Sequence, residues 1–183
     1  YLGLREITWD EAGLRLNGEP LYLRGVLDQG YFPEGWYTAP SDEALRRDVE
    51  LTLALGFNCA RKHQKAEDPR YLYWADRLGL LVWAEMPSGR IFSTDLVETL
   101  TREWMTLIRR DRAHPSIITW VPFNESWGVW HQGSRPEQRA WVDSLYHLTK
   151  TLDPSRPVVG NDGWEYSSGD LWTLHLYEEE RPL

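Results

Sequence analysis

The 183-residue sequence contains one cysteine, Cys59, and two methionines. A lone thiol cannot form an internal disulfide, so no fold built from this chain depends on an oxidising compartment. The longest apolar runs, such as residues 80–84, are only a few residues long, far short of the roughly 20 that span a bilayer. The opening residues carry no basic, apolar leader, and the cytoplasm is the expected location. There are 20 Lys and Arg against 28 Asp and Glu, with no basic block. Nucleic acid and anionic membrane both require a concentrated basic face, so neither is expected as a main partner. No H-x-x-x-H pair or cysteine cluster is present, so no metal centre is expected. Cys59 itself falls within a strand pattern, where a small buried hydrophobe is the expected role.

Aromatic residues are abundant: 11 Trp and 9 Tyr against 4 Phe. Trp and Tyr combine a flat apolar face with a polar handle. That suits stacking against a sugar ring, although composition alone favours a Trp-rich core.

Along the chain, short apolar runs alternate with helical patterns. Leu14 to Leu23 alternates at period 2 around Asn17-Gly18, a dipeptide whose tolerance of positive φ suits a type I′ hairpin. It leads into a strand expected over residues 21–26. Ser41 is placed to cap a helix whose apolar face is Leu45, Val49 and Leu53, closed by Gly56. Asp68-Pro69 starts a second helix through Tyr71, Leu72, Ala75 and Leu78, stopped by Gly79. A third runs through Leu96, Val97, Leu100, Trp104, Leu107 and Ile108. Ser134 and Glu137 read as a capping box for a fourth, ending at Leu152. Strands are expected at residues 57–61, 80–84, 117–123, 158–160 and 171–176, making six with the first.

This alternation predicts parallel βαβ units. A doubly wound dinucleotide fold would need a glycine-rich first turn, yet Gly25 leads into Val26-Leu27-Asp28-Gln29-Gly30. No cofactor is therefore expected, and the α/β class resolves to a (β/α)8 TIM barrel. Barrels usually run to about 250 residues, so about six of the eight units are expected here. Residues 1–20 read as a β-hairpin at a domain junction and residues 21–183 as the incomplete barrel.

Barrel active sites lie at the C-terminal ends of the strands. Those ends carry Arg61, Lys62 and His63; Glu85; Asn124 and Glu125; Asn161, Asp162 and Trp164; and His175 and Tyr177. Carboxylates, amides, a His and aromatics describe a carbohydrate site better than a phosphate or metal site. Glu125 ends the apolar run Trp120-Val121-Pro122-Phe123-Asn124. A carboxyl in a partly apolar pocket holds a proton closer to neutral pH, as a general acid for glycosidic cleavage must. On spacing alone, an ordinary solvated Glu at a strand end explains it as well. Arg61 could pair with a nearby carboxylate. His63 suits either sugar binding or a structural role, and Glu85 either the mouth or a salt bridge. Glu178-Glu179-Glu180 reads as a solvated acidic segment.

Several segments resemble the family 2 glycoside hydrolases, which include β-galactosidases, β-glucuronidases and β-mannosidases. The resemblance rests on Leu16 to Val26, Gly56-Phe57-Asn58-Cys59-Ala60-Arg61, Asp76 to Glu85, Arg110 to Trp120 followed by Asn124-Glu125-Ser126, and Asp153 to Val158. It implies a glycosidase acting with net retention, with Glu125 as acid/base. By their places at the strand ends, Arg61, His63, Glu85, Asn124, Trp164, His175 and Tyr177 are the candidate substrate-binding residues. The nucleophilic Glu is expected beyond residue 183, so the 183 residues alone should be inactive. A preceding β-sandwich domain is implied as a packing partner, and self-association is compatible with all of this. The sequence departs from the family at Leu27-Asp28-Gln29 and Lys62-His63-Gln64-Lys65. Met86-Pro87-Ser88-Gly89 stands where some β-galactosidases carry an acidic metal ligand, so magnesium is not expected. The competing reading is a carbohydrate-binding barrel without turnover.

Overall fold

The computed structural model describes residues 1–177; the run Glu178-Glu179-Glu180 lies outside them. The chain opens with β1 (Ile7–Asp10), β2 (Gly13–Leu16) and β3 (Glu19–Pro20), an antiparallel sheet in that order. At the β2–β3 turn Asn17 has φ 52° and Gly18 φ 84°, as a type I′ turn requires. The preceding β1 was not anticipated. It is joined to β2 through a turn in which Asp10 Oδ1 accepts from Ala12 N at 2.8 Å, an Asx turn of the sort a short acidic side chain makes.

The main sheet is parallel, in the order β4 (Gly25–Asp28), β5 (Cys59–Lys62), β6 (Leu81–Glu85), β7 (Ile117–Val121). The first of these begins later than the expected 21–26. Ahead of it, Asn58 substitutes for a strand neighbour, accepting from Arg24 N at 2.7 Å and donating to Tyr22 O at 2.9 Å. Leu21 and Leu23 are thereby freed to pack with Ile7, Leu14, Cys59, Leu81, Trp83 and Ile118. These residues sit at the starts of the parallel strands, so the opening sheet covers the end of the barrel opposite the predicted mouth.

The helices α1 (Asp42–Ala54), α2 (Pro69–Leu78), α3 (Thr94–Asp111) and α4 (Pro136–Leu152) alternate with these strands and continue past them. Ser41 and Asp68 cap α1 and α2 as expected, and Ser93 caps α3, its side chain accepting from Leu96 N. The capping box at Ser134 and Glu137 is not formed. Pro136 occupies the first helical turn, which makes Arg135 the cap residue, in extended backbone at φ −121° and ψ 98°, the region a following proline enforces. Ser134 thus falls one residue too early. Instead, Gln138 Oε1 accepts from His131 N at 2.8 Å. The core lies between helices and sheet: buried Trp104 of α3 meets Trp120 of β7 edge-on at 5.7 Å and donates to Thr149 of α4 at 2.7 Å.

Beyond β7 the sheet continues through parallel bridges, Trp120 beside Val158 and Asn124 beside Asp162. The fifth expected strand is therefore present in position without forming a full ladder. The sixth, at 171–176, is not a strand among the described residues. Its side chains alternate, Trp172, Leu174 and Leu176 being exposed while Thr173 and His175 turn inward. No described helix covers the outer face, and one backbone bond, His175 N to Gly163 O at 3.2 Å, fastens it. The described residues thus make an open arc of the barrel, not the six paired strands expected.

Candidate active site

The parallel strands deliver their last residues to one end, where Arg61 of β5 sits at the centre. Its guanidinium donates to Glu85 Oε2 from Nε at 2.7 Å and to Asn124 Oδ1 from Nη2 at 2.6 Å, and Nη1 lies 3.0 Å from Asp162 Oδ2. Glu85 is fully buried, and its other oxygen accepts from Gln64 N at 3.0 Å. His63 Nδ1 is also 3.0 Å from Glu85 but lacks hydrogen-bond alignment. Both oxygens of Glu85 are thus engaged by protein, one of them by Arg61. Planar guanidinium donors in a rigid fork suit such contacts better than an ammonium.

Glu125 follows β7 at a sharp turn. Glu125 and Ser126 have φ 48° and 57°, the left-handed region in which a side chain other than glycine costs of order 1–3 kcal/mol. The turn is held from the neighbouring segment: Glu125 N donates to Asp162 O at 2.8 Å, and Ser126 N to Asn161 Oδ1 at 2.9 Å. Glu125 Oε1 is 2.6 Å from His175 Nδ1 and accepts from the hydroxyl of Tyr177. Both contacts fall on the same oxygen of Glu125.

His175 links the two halves of the site. Its Nε2 stands 3.1 Å from Arg61 Nη1 and 3.4 Å from Asp162 Oδ1. Because an arginine can only donate, Nε2 accepts from it when the ring is neutral, leaving Nδ1–H to donate to Glu125. The hydrogen bond to Asp162 raises the His175 pKa above its usual value, with burial opposing and Glu125 adding to the rise. For Asp162, burial pushes upward, yet hydrogen bonding to His175 and the charge of Arg61 hold it below the usual carboxylate value.

A cavity of about 570 Å³ opens beside Glu125, lined by His63, Gln64, Ser88, Gly89, Arg90, Asn124 and Trp127. Gln64 and Ser88 fasten two of its walls to each other, with Gln64 Nε2 donating to Ser88 Oγ at 3.1 Å and Ser88 N to Gln64 Oε1 at 2.6 Å. The structure therefore brings His175 and Tyr177 to the Glu125 carboxylate, links Arg61 to Glu85, Asn124 and His175, and puts His63 and Asn124 on the cavity wall. Trp164 stands apart, half exposed and 5.9 Å from Trp130. Asn161 and Asp162 were placed at the mouth without a role, and Gln64 and Trp127 were not singled out as site residues. The Gln64–Ser88 link is visible only in three dimensions. Among the described residues no group of three His, Cys, Asp or Glu could hold a metal ion.

The model of the glycosyl hydrolases family 2 TIM barrel domain matches residues 8–177. This chain belongs to glycosyl hydrolase family 2. Within the family it is 33% identical over 178 residues to a β-galactosidase of Lactococcus lactis, covering 92% of this chain and 17% of that protein. It is 34% identical over 177 residues to β-galactosidase 2 of Enterobacter cloacae, covering 88% of this chain and 16% of that protein. The chain thus spans about a sixth of the length of these relatives. β-Glucuronidase 3 of Bacteroides uniformis superposes with a TM-score of 0.78 at 29% identity, over 88% of this chain and 21% of its own. The fold is also that of a Parabacteroides merdae β-glucuronidase, with a TM-score of 0.86 at 23% identity over 96% of this chain and 23% of the other. The family barrel is the architecture whose open arc is described above. Among the described residues no helix is long and apolar enough to cross a membrane.

Proposed function

We propose that the complete protein is a retaining glycosidase that removes terminal β-linked sugars of the galactoside, glucuronide or mannoside class, with Glu125 as general acid and then general base. The observation that carries this reading is the aim of Glu125: a left-handed turn at the end of β7 points its carboxylate, bound by His175 and Tyr177, at the large cavity.

In the first step Glu125 donates a proton to the glycosidic oxygen as the bond to the sugar breaks, and in the second it takes a proton from the attacking water. His175 and Tyr177 hold its carboxyl in place. Asn124 has its carbonyl taken by Arg61, which leaves its amide N–H groups to donate to a sugar hydroxyl beside the reacting carbon. Retention needs a second carboxylate about 5–5.5 Å away. The resemblance to family 2 implies a Glu at the end of a later barrel strand for this role, and we assign the nucleophile to such a residue outside the described ones. Residues 1–20 form the junction to a β-sandwich domain of the same protein. A buried, unpaired Cys59 suits a cytoplasmic setting.

A panel of nitrophenyl β-glycosides, followed by NMR of the first-formed sugar anomer, tests the proposal. Release of a β-anomer from one member is expected. Initial release of the α-anomer, or no hydrolysis across the panel, contradicts it.

A further inference from the structure

Glu125 protonates the oxygen of the departing group, so that group extends from Glu125 away from the cluster around Arg61. On that side the cavity wall passes from Trp127 to Trp130, whose ring centroids lie 4.5 Å apart. Trp130 borders a second cavity of about 260 Å³, whose lining includes Arg90, Phe92, His131 and Arg135. Arg90 lines both cavities. The second cavity is therefore a continuation of the first along an aromatic wall.

Its charge is opposite to that of the chain. Two arginines and a histidine line it with no acidic residue, in a sequence of net charge −8. Arg135 pairs with Glu137 at 3.7 Å, but both side chains are more than half exposed, and such a pair contributes little. Among the described residues Arg90 is anchored by its backbone carbonyl, which accepts from Trp130 Nε1 at 3.1 Å, and its guanidinium has no carboxylate partner. The donor fork of an arginine matches a carboxylate in two-point contact, and Phe92 and Trp130 add aromatic surface to the lining.

We infer that the Trp127–Arg90 side of the first cavity and the second cavity together form one leaving-group subsite that selects an outer unit carrying negative charge. Acidic sugars and aryl acids share that chemistry. The inference rests on the glycosidase reading above and adds its preference for the departing group.

The test uses the complete protein and β-glycosides of whichever sugar it accepts, with four leaving groups: a neutral disaccharide, the same disaccharide ending in a uronate, a neutral biphenyl and its carboxylate. The charged member of at least one pair is expected to show about tenfold higher kcat/KM, the scale of one hydrogen-bonded charge contact. Arg90→Gln should abolish that preference, chiefly through a higher KM for the charged probe. Arg90→Lys should retain part of it, and raising salt to about 0.5 M should shrink it. Arg109→Gln, on the exposed face of α3, should leave it at the parent value. A preference confined to the sugar pair identifies acidic sugars, and one confined to the aryl pair identifies aryl acids. Equal kcat/KM for charged and neutral probes, or a preference that survives Arg90→Gln, overturns the subsite while leaving the glycosidase reading intact. Failure to cleave any simple nitrophenyl β-glycoside overturns the glycosidase reading itself.

Discussion

Replacing Arg61 with Met removes the group on which the site is organised and leaves its partners in place. Glu85 has no solvent exposure, and the Arg61 side chain itself is only 16% exposed. Breaking one side of a buried ion pair costs about 3–5 kcal/mol, because the remaining charge is stranded away from water. For a domain of this size, each kcal/mol shifts the unfolding midpoint by roughly 2–4 °C, so the barrel transition should fall by about 6–20 °C. Adding Glu85→Gln removes the stranded charge. The double variant should therefore be destabilised by less than the sum of the two single changes, with a coupling of about 1–3 kcal/mol. Thermal unfolding of the complete protein, followed by tryptophan fluorescence for all four forms of the cycle, measures this. A drop of less than about 2 °C for Arg61→Met, or additive effects of the two substitutions, would refute the coupling of Glu85 to Arg61.

The turn bearing Glu125 should be equally sensitive. Asn161→Ala leaves the buried Ser126 N–H without its acceptor, a loss of about 1–3 kcal/mol, and should lower kcat more than it raises KM. Gly163→Ala adds a Cβ within 2.2–2.5 Å of three His175 ring atoms at a φ of +92°, so turnover should fall at least about tenfold as the imidazole leaves Glu125; unchanged kinetics would show that His175 is dispensable. The pKa of His175 is raised in the fold above the ordinary 6.5. Its bonds therefore contribute stability that is fully present below the ordinary value and is lost as pH rises through the raised one. The difference in melting temperature between the parent and His175→Gln should shrink on going from acid to alkaline pH, and a difference that widens would contradict this assignment.

Elements whose signals were local were legible in the sequence. Ser41, Asp68-Pro69 and Gly79 mark helix ends because each makes its bond or turn within a few residues. Asn17-Gly18 fixes its turn for the same reason. The misreadings came where a distant group or a neighbour's geometry decides. The shift of the first parallel strand depends on Asn58, 34 residues from Arg24. The failed capping box at Ser134 was overridden by Pro136. Residues 171–176 were expected as a strand, yet pairing needs partners that a short apolar run does not report. In the site, Glu125, Asn124 and Arg61 were visible as strand-end residues in a recognised order. The clamp from Asn161 and Asp162 and the link from Gln64 to Ser88 join different loops, and no spacing rule reveals them.

The central claim is that Glu125 supplies the proton to the leaving group, and its most direct test is the dependence of Glu125→Gln on leaving-group acidity. The rate of bond cleavage should fall by roughly 10²–10⁴-fold for alkyl and sugar leaving groups, which need the proton, and far less for activated nitrophenols, which do not. An equal loss on both classes would contradict the assignment of Glu125 as the acid.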